Sequence, residues 1–128
     1  MPRLNRDQRR AFNQPLLPAV VSPAALTGDV NNYDPGLGAA VSGVLRIDPG
    51  AAARSMTGLA GGAPGKVYFI FNISSTAGRT LTLVHASGSS SAANQFSGGN
   101  LADVVVRPGG AAMAWYDSAS SLWRILAI

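Results

Sequence analysis

"SMTGLAGGAPGKVYFIFN", residues 55–72, is the stretch on which the fold turns. A connection made almost wholly of glycine, alanine and proline runs into Lys66-Val67-Tyr68-Phe69-Ile70-Phe71-Asn72. β-Branched and aromatic residues at this density favour a strand. Period-two alternation puts Val67, Phe69, Phe71 and Ile73 on one face and Tyr68, Ile70 and Asn72 on the other. Both sets are largely apolar, which predicts a central strand covered on both faces. The glycines before it do not have phosphate-loop spacing, and they precede a strand where a phosphate cradle precedes a helix. They read as a tight, side-chain-poor connection that lets neighbouring backbone come close.

Working outward, the chain from Ala24 is a series of short apolar segments between turn signals. "AVSGVLRI" (40–47) stops at Asp48-Pro49-Gly50, "RTLTLVH" (79–85) alternates leucine with threonine, and "ADVVV" (102–106) stops at Arg107-Pro108-Gly109-Gly110. "AAMAWYD" (111–117) and "SLWRILAI" (121–128) flank a serine turn and read as a hairpin, with Trp115 and Trp123 as heavy anchors. The serine-rich run 87–97 reads as a surface loop pinned by Phe96. About eight short strands with turns every 8–12 residues predict an all-β domain, a single jelly-roll-like β-sandwich. No sequence repeat points to a solenoid.

The first 23 residues differ in character. Arg3, Arg6, Arg9 and Arg10 face only Asp7, whereas the rest of the chain, with six basic and five acidic residues, is close to neutral. Residues 1–12 have the spacing of one or two helical turns, marginal without a partner surface. "NQPLLPAVVSP" (13–23) holds Pro15, Pro18 and Pro23 and reads as an extended apolar strap. Its apolar run is too short for a membrane span. The division is therefore an anchoring arm, 1–23, and a β-domain, 24–128. The arm's arginines suit acidic patches on a protein through bidentate pairs. They also suit phosphates, but the apolar strap and the neutral body disfavour nucleic acid.

Reactive side chains are scarce. There is no cysteine and no glutamate, so disulfides and thiolate sites are excluded. One histidine, His85, with no cysteine rules out the common zinc sets. Pairing of His85 with Asp103 or a serine of the 89–91 run is not set up locally, and His85 reads as a strand-end surface residue. Asp34, Asp48 and Asp117 stand in turns, where a short carboxylate bonds backbone. No catalytic residue, metal or cofactor is expected, and the protein is not expected to be an enzyme.

The run from "NNYDPGLGAAVSGVLRID" through "SMTGLAGGAPGKVYFIFN", "TLTLVHASGSSSAANQFSGGN" and "VVVRPGGAAMAWYDSASSLWRIL" resembles a β-domain of tailed-bacteriophage structural proteins: head decoration, head-fibre and tail-fibre proteins. The likeness spans about residues 29–126 and lies in the order and spacing of the motifs. It implies a virion structural role, a trimer, and no enzymatic activity. A basic arm followed by one compact domain is the layout of a capsid cement protein. The expectation is then a decoration protein made in the host cytoplasm and bound to the outer surface of the head. It would contact the major capsid protein or a neighbouring subunit through Arg3, Arg6, Arg9, Arg10, Phe12, Leu16 and Leu17. Trp115, Tyr116 and Trp123 would serve as core or oligomer contacts. The alternative is a receptor- or glycan-binding fibre module that uses the 87–99 loop.

Overall fold

The computed structural model describes residues 19–128. Nine strands lie among them: β1 (Ala19–Val21), β2 (Ser42–Ile47), β3 (Arg54–Met56), β4 (Val67–Asn72), β5 (Leu81–Leu83), β6 (Phe96–Gly98), β7 (Val104–Val106), β8 (Ala111–Asp117) and β9 (Leu122–Ala127). The only helical segments described are two single 3-10 turns, Ala92–Asn94 and Gly99–Leu101. The all-β expectation therefore holds, but the sandwich does not. The strands wind as a β-solenoid of about four turns.

The coil is visible in the pairing. β1, β2 and β4 stack in parallel, with Ala19 beside Gly43 and Gly43 beside Tyr68. Each step is about 25 residues of chain, a period that belongs to solenoids. A second column runs from Val30 to Met56 to Leu83, again in parallel. Backbone bonds join successive turns between the columns: Leu26 N–H to the Asp48 carbonyl, Val30 N–H to Ser55 and Arg54 N–H to Thr80. A jelly-roll sandwich is built from antiparallel neighbours, so this parallel stacking overturns it. The last part of the chain then turns back. β7 pairs antiparallel with β5, β8 with β4, and β9 with β8, while β6 lies parallel to β9. A six-stranded sheet, β1-β2-β4-β8-β9-β6, and a three-stranded sheet, β3-β5-β7, result.

A solenoid has one interior, so each strand buries one face. Leu45, Ile47, Ile70, Met56, Leu59, Leu81, Leu83, Phe96 and Trp123 fill it. Large residues sit beside small ones along the register: Tyr68 beside Gly43 and Ala114, Ile70 beside Ala112. A β-carbon on Gly43 would stand 2.7 Å from the Tyr68 ring, so that position needs glycine to seat it. At Gly62 a β-carbon would run into the Tyr116 ring, which explains the side-chain-poor connection before β4: the neighbour that approaches it is in the same chain.

The strand β4 is central, between β2 and β8, but it is covered on one face only. Tyr68, Ile70 and Asn72 point inward, whereas Phe69, Phe71 and Ile73 point out. The polar tips decide the choice. Corners of the coil turn carbonyls inward, and each needs a donor. The Tyr68 hydroxyl reaches the carbonyls of Ala40 (3.1 Å) and Leu37 (3.3 Å). The Asn72 side-chain amide donates to Arg79 (2.8 Å) and Val106 (3.0 Å) and accepts from Ser74 N–H (3.1 Å). Phenylalanine at those places would leave the carbonyls bare. Burial raises the pKa of the Tyr68 hydroxyl, which keeps it a donor.

Candidate functional site

The outward residues of the six-stranded sheet form one surface. Along the register, Val20, Val44, Phe69, Met113 and Leu126 make an apolar row across five strands. Arg46, Phe71, Ala111 and Ile128 run on one side of it. Val67, Trp115, Arg124 and Ser97 run on the other. Trp115 is 41% exposed, Phe69 39%, Leu126 47% and Val20 66%. Single exposed apolar residues are ordinary, but a contiguous patch marks a contact surface.

The three aromatic residues singled out in the hairpin divide accordingly. Tyr116 and Trp123 lie opposite each other on the inner face, ring centroids 5.2 Å apart and edge-to-face. The Trp123 indole N–H donates to the Leu59 carbonyl at 2.8 Å. Both are core residues, whereas Trp115 alone reaches the outer surface. Beside Trp115, Arg124 Nε meets Asp117 Oδ2 at 3.1 Å, and its other nitrogens donate to Ser97 and Ser120. The Arg124 hydrogen bond, first among its causes, holds the Asp117 carboxyl below its ordinary pKa. The arm residues Arg3, Arg6, Arg9, Arg10, Phe12, Leu16 and Leu17, and the helical turns expected over 1–12, lie outside the described residues. Ala19–Val21, within the stretch read as arm, forms β1, so the arm's chain joins the fold at the edge strand bordering the apolar row.

The remaining polar chemistry is built into the coil. All five described aspartates accept a backbone N–H: Asp29 from Ser55, Asp34 from Gly36, Asp48 from Gly50, Asp103 from His85 and Asp117 from Ala119. Asp103 thus meets the main chain of His85 and not its ring, whose Nδ1 accepts from Gly98 N–H at 3.1 Å. The serine-rich loop lies at the surface, with Ser89 and residues 91–93 exposed, and is fastened to the body. Ser90 is buried and bonds Asn32 N–H and the Thr57 hydroxyl, and Asn32 Oδ1 accepts from Ser91 and Asn94. Phe96 is fully buried, as a loop pin must be. A shallow cleft of about 250 Å³ lies between two corners, lined by Asp48, Gly50, Ile73, Ser74, Ser75, Thr76 and Arg79. Arg79 donates there to the Gly50 carbonyl at 2.7 Å. Among the described residues, no three of His, Cys, Asp and Glu gather as metal ligands.

The sequence reading places Lys66 at the head of the strand and gives it no role. It is buried, and its Nζ donates to the carbonyls of Gly38 (2.6 Å) and Gly61 (2.7 Å), tying two loops of different turns. The only signal was its position: a lone lysine at the mouth of an apolar strand. Lys66→Met keeps the stem and removes the donors, leaving two carbonyls short of partners. A loss of about 2–3 kcal/mol in unfolding free energy is expected from urea melts. Comparison with family models, curated proteins and solved structures gives no match.

Proposed function

We propose that this chain is a structural component of a tailed-phage virion. It is a head decoration protein that binds the outer surface of the assembled shell through its basic, proline-rich arm and stabilises it. The observation that carries this reading is where the polar groups go. Every described aspartate bonds backbone, His85 and Lys66 do the same, and what the fold offers outward is surface. The ordered motifs over residues 29–126 support the virion context, and β1, which begins at Ala19, is an edge strand of the exposed sheet. The partner on the shell is the major capsid protein, met by the arm's arginines through acidic patches. A ligand that binds only the assembled shell stabilises it by mass action, by about 2.7 kcal/mol per site at a hundredfold excess over Kd.

The test uses heads lacking the protein. The full chain should cosediment with them and raise their rupture temperature. A chain deleted of residues 1–18 keeps β1 and should retain its own melting temperature while losing the heads. Full binding by the truncated chain removes the arm from the mechanism, and failure of the intact chain to bind heads removes the decoration role. The alternative fibre or glycan-binding module is less favoured, because Ser90, Ser91 and Asn94 of the 87–99 loop make hydrogen bonds with Asn32 of the same chain.

A further inference from the structure

We infer that the outer face of the six-stranded sheet is a seam between copies of this chain. The inference goes beyond the virion assignment and does not depend on it. Its ground is the extent of the face. With Phe71 38% and Ile128 70% exposed beside Val20, Phe69, Trp115 and Leu126, these six residues present roughly 500 Å² of apolar surface. A standard interface buries roughly 800 Å² per partner, about 65% of it apolar in homodimers, so the face supplies what one side of such an interface needs. Its shape fits as well, because sheets pack face to face with their side chains interdigitated. The row rises from Val20 and Val44 to the bulkier Phe69, Met113 and Leu126, a relief that a facing sheet can interlock with.

The occupant is a second copy and not the chain's own first 18 residues. Those residues would bring four arginines onto a face whose cations are Arg46 and Arg124. The one salt bridge among the described residues already uses Asp117 on Arg124, and Arg46 is held by the Ser22 hydroxyl at 2.9 Å. A second copy brings an apolar row of matching length, and closed assemblies of identical chains are the commonest kind.

The experiment is a light-scattering mass of the purified full chain over a dilution series, with tryptophan emission read in parallel. A mass of two or more chains is expected. Dilution should shift the emission to the red as Trp115 becomes solvated, while buried Trp123 stays constant. Phe69→Thr with Trp115→Thr, both tolerated by strands, should raise the dissociation constant at least a hundredfold with the circular dichroism spectrum unchanged. A monomer at tens of micromolar overturns the inference. So does an assembly that survives the double substitution and is lost on removing residues 1–18, which would place the seam in the arm. Should the double variant fold poorly, the dilution series on the unaltered chain still decides.

Discussion

Trp123→Ala is expected to cost about 3–5 kcal/mol, the range for truncating a large buried aromatic, and to leave the chain barely folded. The indole is fully buried, packs edge-on against Tyr116 and bonds the Leu59 carbonyl, so the truncation opens a cavity and strips a buried acceptor. Domains of this kind are stable by about 5–15 kcal/mol in all, so one substitution removes a large share. Trp123→Phe separates the two contributions. It keeps much of the packing and forfeits the hydrogen bond, so its cost should be smaller, about 1–2 kcal/mol. Guanidinium melts followed by circular dichroism should rank unaltered chain, phenylalanine and alanine in that order. An alanine variant within 1 kcal/mol of the unaltered chain would contradict the packing.

Asn72→Asp should be at least as severe, and its severity should depend on pH. The buried amide serves two carbonyls, Arg79 and Val106, and through Val106 it ties β4 to the second sheet. An aspartate there points a carboxylate oxygen at acceptors in a dehydrated place. Both desolvation and repulsion raise the folded-state pKa above the unfolded value of about 3.9. The sign follows. Below the unfolded pKa the carboxyl is neutral in both states, donates to one carbonyl, and costs about 1 kcal/mol for the carbonyl it leaves unpaired. As the pH rises, the unfolded state releases its proton first and stability falls. Only the roughly 3 units between the unfolded pKa and pH 7 count, so a folded-state pKa raised to about 7 or above costs about 4 kcal/mol at neutral pH. Melting temperatures of the variant and the unaltered chain, compared at pH 7 and pH 4, should differ widely at the first and draw together at the second. A gap that does not change with pH would assign the damage to shape and not to charge.

How far the sequence discloses this fold depends on the scale of the feature. Local chemistry is legible. Asp34, Asp48 and Asp117 do bond turn backbone, the last two strands are a hairpin, and Phe96 does pin the serine loop. The winding is not legible, because the residues stacked from turn to turn do not resemble each other. Gly43 lies beside Tyr68 and Ile47 beside Asn72. A geometrical repeat of about 25 residues leaves no repeated motif when each layer fits its neighbour by complementary size. Short strands between regular turns look the same in a sandwich and in a coil. The facing of β4 is misread for a related reason. Hydropathy alone puts Phe69 and Phe71 inside, whereas the inward carbonyls require the hydroxyl of Tyr68 and the amide of Asn72. The surface was within reach. Alternation along "AAMAWYD" groups Ala112, Ala114 and Tyr116 against Met113 and Trp115, which separates the one exposed tryptophan from the core pair.

The order of the strands also sets a clock. β4 finds one neighbour, β2, already made when it leaves the ribosome, but its other neighbour, β8, comes later in the chain. About forty residues separate the two, and at about 5–20 residues per second β4 waits roughly 2–8 s with an open hydrogen-bonding edge beside Phe69 and Phe71. Throughout that interval the nascent chain is a template for pairing with its neighbours on the same messenger. The speed of translation through residues 73–110 therefore bears on how much of the product reaches its folded state, independently of how stable that state is.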